Sequence, residues 1–105
     1  MSILPRWSET IDLVSVAREQ NEIGDTVEVE KPRKVYANRK SIRQSEFYQA
    51  MTTGLRPEIM FEVNIFDYKD EKKLKHEGKT YSVIRTYINE SDHMEIVCEG
   101  MTNRG

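Results

Sequence analysis

Few side chains in this sequence have the types and spacing that catalysis needs. His76 and His93 sit beside turns on different strand ends, without the i, i+4 spacing that lets two imidazoles share a metal ion. Both read as ordinary surface histidines. Cys98, the single cysteine, lies in the alternating run from Met94 to Glu99, where a small thiol behaves as a core residue. One cysteine allows neither an internal disulfide nor a cysteine-based zinc site, and it fits a reducing compartment. There is no glycine-rich phosphate loop, and the carboxylates are scattered among lysines as on a solvated surface. The expectation is a protein with no catalytic residues, no metal and no cofactor.

The run from Lys31 to Arg43 has more to offer. It holds Lys31, Arg33, Lys34, Arg39, Lys40 and Arg43 with no acidic residue between them, and Tyr36 interleaves. Such a stripe can track a phosphate backbone, with the aromatic ring as a stacking platform. Against tight binding stand the net charge of −2 and the single aromatic. A solvent-facing strand with its flanks is the simpler reading of the same residues.

A third feature is the segment from Ser41 to Glu58, SIRQSEFYQAMTTGLRPE. Ser41 with Gln44 fits a capping box, Phe47, Ala50, Met51 and Leu55 make an apolar stripe at helical period, and Gly54 and Pro57 supply a stop. A helix of this length is marginal in water and needs a surface to pack on, either its own domain or a partner. A formed helix and a mobile loop with helical bias both remain open. An 18-residue excursion between two strands exceeds ordinary connection lengths, and long loops in compact domains tend to be functional.

The elements around it are strands. With 105 residues, 37% of them hydrophobic and 32% charged, the chain has room for one domain with a lean core under a charged surface. A first strand is expected from Thr10 to Val16 after a loose leader over residues 1–8, then a turn at Ile23-Gly24-Asp25 and the alternation Thr26 to Glu30. Pro32, which has no N–H, is expected to interrupt the ladder before a further strand through Val35, Tyr36 and Ala37. Pro57 to Tyr68 carries the strongest strand signal, with Ile59, Phe61, Val63 and Ile65 on one face. Leu74 to His76, the tight turn Glu77-Gly78-Lys79, the alternating Tyr81 to Ile88 and the run Met94 to Glu99 complete the set, with a frayed tail over 100–105. These are about six short strands joined by turns. The fold class expected is mainly β, a small antiparallel β-barrel or sandwich with a long, partly helical loop between the second and third barrel strands. No signal-peptide pattern and no apolar run of membrane-spanning length is present, so a soluble chain is expected.

The order of the pieces is more specific than any one of them. Val35-Tyr36-Ala37-Asn38, then Arg43 to Ala50, Gly54-Leu55-Arg56-Pro57-Glu58, the following strand, Gly78 to Tyr87 and Glu95 to Glu99 together span about residues 35–99. In that order they resemble the SPP1-type bacteriophage head-tail joining (head-closure, stopper) protein family. The resemblance implies a small β-barrel that joins a ring of its own copies beneath the portal or adaptor proteins. It plugs the DNA exit channel after packaging, touching packaged DNA by steric contact, and offers a docking surface to a tail-completion or tail protein. In that family the loop between the second and third barrel strands can reach into the channel. Carried onto this chain the loop is residues 41–58, and Arg43, Gln44, Ser45, Phe47, Tyr48 and Arg56 are the implied contact region. The implied setting is the host bacterial cytoplasm during assembly and then the head-tail interface of the virion, for an active phage or a prophage remnant, with no membrane involved.

Two further functions fit the residues without the resemblance. One is a small nucleic-acid-binding barrel that uses Lys31, Arg33, Lys34, Arg39 and Lys40. The other is a small enzyme built around Cys98.

Overall fold

The computed structural model describes residues 8–101. Six antiparallel strands, β1 (Glu9–Gln20), β2 (Thr26–Lys40), β3 (Ile59–Asn64), β4 (Lys73–His76), β5 (Lys79–Ile88) and β6 (His93–Gly100), close into a barrel in the order β1-β2-β3-β6-β5-β4. One helix, α1 (Gln44–Met51), lies between β2 and β3, within the long connection expected there. Residues 1–7 of the expected leader and 102–105 of the expected tail lie outside the described residues. Gly100, placed in that tail, is instead the last residue of β6.

Period two builds the core. Ile11 and Leu13, Val35 and Ala37, Ile59, Phe61 and Val63, Leu74, Tyr81, and Ile96 and Cys98 alternate inward on their strands and form one cluster. Burial pushes the Cys98 thiol up to about 12, which keeps it protonated and inert at neutral pH, as a core residue should be. Gly78, with φ +78°, and Glu77, with φ +50°, make the two-residue turn from β4 to β5, since both central residues of such a turn need positive φ.

The first two strands differ from expectation. They are 12 and 15 residues long and pair continuously from Glu9 opposite Ala37 to Gln20 opposite Thr26, with Pro32 inside the ladder opposite Val14. β2 does not meet β3 until Ala37, so one of its edges is open beside Pro32, and an open edge is where a strand accepts a residue without N–H. β4 pairs with β1 only at Asp12, Leu13 and Val14. Beyond that point residues 15–20 and 26–31 have only each other and form a two-stranded arm about 20 Å long at ~3.3 Å per residue. The arm stretches the molecule to 59 Å and raises its radius of gyration to 15.6 Å, against about 13 Å for a compact domain of this length.

His76 also departs from expectation. It lies two residues beyond the core residue Leu74 on the same strand face, so it points inward and is buried. Its ring sits 4.9 Å from that of Phe61, and its Nε2 is 2.6 Å from Glu9 Oε1, tying the start of β1 to the end of β4. Glu9, His76 and Glu77 bring three possible ligand atoms within 4.8 Å of one another. Glu77 is largely exposed, however, and the bond to Glu9 already accounts for the buried nitrogen.

Candidate functional site

The site begins with an irregularity in β5. Uninterrupted alternation would put Tyr81, Val83, Arg85 and Tyr87 on one face. Instead the register with β6 slips at Ile84, so that Val83 opposes Cys98 while Arg85 opposes Val97. This bulge leaves Tyr81 and Val83 facing the core and re-aims Arg85 and Tyr87 to the outer side of the barrel. There they meet the segment 41–58.

That segment is held by polar contacts. Arg85 Nη1 donates to Glu46 Oε2 at 2.6 Å and to Gln49 Oε1 at 2.9 Å. Arg43 donates to the Tyr87 hydroxyl and, at 3.3 Å, to Glu95 Oε1. Both guanidinium groups lie 5.4 Å from the centre of the Tyr87 ring, close enough for cation–π attraction. At the far end the Arg56 N–H donates to Glu99 Oε1 at 2.7 Å and Lys79 pairs with Glu58 at 2.8 Å.

The helix therefore turns its charge inward. Glu46 is its one buried residue, whereas Phe47, Tyr48 and Met51 are 41%, 62% and 57% exposed. Of the apolar stripe, Phe47 and Met51 face solvent, while Ala50 and Leu55 are half-buried on the side toward β5. The capping box is also absent: the N-cap is Arg43, no side chain caps the helix, and Gln44 instead donates to the Tyr48 hydroxyl. Gly54, with φ +82°, ends the helix as expected, while the Leu55 N–H reaches back to the Ala50 carbonyl. Between the helix and β5 runs a groove of about 220 Å³, with Ala50, Thr53 and Leu55 on one wall and Ile84 on the other. The helix stands off the barrel.

Beneath Arg43 lies a buried carboxylate pair. Glu62 on β3 and Glu95 on β6 are cross-strand neighbours on the outer face, and both are buried. Like charges placed directly opposite destabilise a sheet unless something joins them. Asn89 does so, its Nδ2 donating to Glu62 at 2.6 Å and to Glu95 at 2.8 Å. Its Oδ1 meanwhile accepts the N–H groups of Ser91 and His93 and shapes the β5–β6 turn. His93 Nδ1 lies 3.3 Å from Glu62, so this histidine too is half-buried and engaged.

Burial pushes both carboxyls up. Hydrogen bonds to Glu62 from Asn89 and Asn38, and to Glu95 from Tyr87 and Asn89 together with the Arg43 charge, outweigh it and leave both below the ordinary carboxylate value. Glu71, buried in the loop before β4, is likewise pushed up by burial and brought below that value by Arg33 and the Lys69 N–H. Carboxyls with depressed folded-state pKa values contribute stability above their unfolded value, about 4.5, and lose it as pH falls through the lower folded values. Thermal melts are expected to be level from about pH 7 to pH 5 and to drop below about pH 4. A melting temperature that rises on acidification would contradict these assignments.

The basic run does not form one surface. Alternation on β2 sends Lys31, Arg33 and Arg39 to the face that carries Val35 and Ala37, and Lys34, Tyr36 and Lys40 to the other. Lys31 pairs with Glu19 at 3.1 Å, and Arg33 bonds Glu71 at 2.6 Å and the Asp67 carbonyl at 2.5 Å, pinning the loop before β4. Lys34 and Arg39 have no ion pair among the described residues. Of the implied contact region, Gln44, Ser45, Phe47 and Tyr48 sit together on the exposed part of α1, Arg43 is its anchor, and Arg56 lies beyond the helix beside Glu99.

The molecule's fold is similar to the solution structure of protein SF1141 from Shigella flexneri 2a, with a TM-score of 0.69 and 13% identity over 94% of this chain and 96% of that one. At that identity the likeness speaks for the fold. No family model and no curated protein matches the chain.

Proposed function

We propose that this protein is a structural joining component of a long-tailed phage or prophage particle. It works without catalysis: it docks beneath the portal or adaptor ring, associates with copies of itself, closes the DNA exit channel after packaging and offers the surface to which the tail attaches. The observation that carries this reading is the segment 41–58. Its polar side chains fasten it to the barrel at both ends, while Phe47, Tyr48 and Met51 remain open to a partner. Exposed aromatic and Met side chains grouped on one helix suit a protein interface. A solvated helix would carry charge there instead.

The division of labour follows from the anchors. Arg43, Glu46, Arg85 and Tyr87 set where the segment lies, and the outward side chains meet what it touches. Ordering a short element at the moment of assembly is a recurrent device in switching proteins. The test is particle assembly without this protein. Filled heads are expected to leak their DNA and to remain tailless, and retained DNA with normal tails would overturn the reading.

A further inference from the structure

The two-stranded arm takes no part in the anchoring of 41–58, and its composition is uneven. From Arg18 to Lys31 it carries five acidic residues, Glu19, Glu22, Asp25, Glu28 and Glu30, against the two basic ones at its ends. Within the molecule Lys31 answers Glu19, Lys73 and Lys75 answer Glu30, and Arg18 stands across the ladder from Glu28. Glu22 and Asp25, at the tip, have no ion pair among the described residues. Between them Ile23 is 80% exposed. The tip is held in shape all the same, because Asn21 Oδ1 accepts the N–H groups of Ile23 and Asp25. A hydrogen-bonded turn thus offers one large apolar side chain flanked by two carboxylates.

The complementary pattern lies on the outer face of β2. Tyr36, 65% exposed, stands between Lys34 and Lys40 on the same strand face. We infer that the arm tip of one copy docks on this face of a second copy, with Ile23 against the Tyr36 ring and Glu22 and Asp25 toward Lys34 and Lys40. The two patches are different surfaces of one chain, so the contact is head-to-tail, and head-to-tail contacts propagate into rings or open chains. One such contact is small and weak. Its strength comes from repetition around a closed ring, where each added copy binds at a raised effective concentration. The inference deepens the self-association in the proposed joining role by naming the two surfaces.

Sedimentation of the purified chain at high protein concentration tests it. Wild-type protein is expected to form oligomers at low ionic strength and to dissociate in high salt, because the exposed charges are screened. A Glu22→Lys, Asp25→Lys variant and a Lys34→Glu, Lys40→Glu variant are each expected to be monomeric. Their equimolar mixture is expected to recover oligomers, since every reversed tip then meets a reversed face. Ile23→Ser and Tyr36→Ser, which leave the charges alone, are each expected to lose association while keeping the wild-type melting temperature. A monomeric wild type, a mixture that stays monomeric, or serine variants that assemble like wild type would each overturn the inference. So would a monomeric chain whose Lys34 and Lys40 instead bind oligonucleotide with a steep salt dependence. DNA retention by filled heads addresses the joining role separately, so one can fail while the other stands.

Discussion

Phe61→Ala is expected to cost about 3 to 5 kcal/mol, most of the stability that a domain of this size has to lose. Phe61 is fully buried at the centre of β3, between the core residues Ile59 and Val63, and its ring meets that of His76. Alanine would remove the ring and leave a cavity at the point where β3 links β2 to β6. The core can do little to fill it, because interiors are close-packed and the strand neighbours Ile59, Val63 and Ile96 are stiff, β-branched side chains. Chemical denaturation would measure the change as a lower midpoint at unchanged slope. A loss below about 1 kcal/mol would mean that the core is not packed as described.

The second large effect is at Asn89. Asn89→Leu removes the amide that joins Glu62 to Glu95 and leaves two buried, opposed carboxylates short of a donor, at an expected cost of about 3 kcal/mol at neutral pH. The pH dependence distinguishes this from a simple packing defect. Without the amide, burial is offset less fully, by Asn38 at Glu62 and by Tyr87 and Arg43 at Glu95, and the folded-state pKa values of the two carboxyls rise from their depressed wild-type positions. A carboxyl less depressed than in wild type contributes less stability at neutral pH, and the difference is lost as pH falls and the proton binds in both proteins. The gap between Asn89→Leu and wild type should therefore hold from about pH 7 to pH 5 and narrow below about pH 4, where the wild type loses its own carboxylate stability. A gap that stays constant with pH would assign the effect to the turn alone, since Asn89 Oδ1 also accepts the Ser91 and His93 N–H groups.

What could be read from the sequence was what depends on neighbouring residues. Alternation marks Ile59, Phe61 and Val63 as a core face, and the Glu77-Gly78 pair marks a tight turn, because each signal rests on a few consecutive residues. The continuous β2 strand was hidden. Whether Pro32 breaks a ladder depends on whether the second edge of its strand is occupied, and pairing partners are set by the fold. The bulge at Ile84 was hidden for a similar reason: one extra residue inverts the facing of all that follow, and the alternating sequence carries no mark of it.

Those two hidden features bear directly on the site. Because the phase inverts at Ile84, Arg85 and Tyr87 leave the face of Tyr81 and become the platform for the segment 41–58. Because Glu46 finds Arg85, the helix rotates its acid inward, and Phe47 and Met51, which sequence periodicity assigns to a buried stripe, face outward. The location of the segment between the second and third strands was legible. Its orientation was not, since it is decided by a partner 39 residues away in the chain. One signal was available for His76: its spacing of two from Leu74 put it on the core face of β4.

The central claim is that the outward face of α1 makes the contact that closes and joins. It is tested most directly by assembling heads with the chain carrying Phe47→Ser, Tyr48→Ser and Met51→Ser and measuring retained DNA and attached tails. Since these side chains are exposed and the anchors at Arg43, Glu46 and Arg85 are untouched, the variant is expected to melt like wild type and yet to leave heads that leak DNA and lack tails. A variant that melts like wild type and yields filled, tailed particles would contradict the claim.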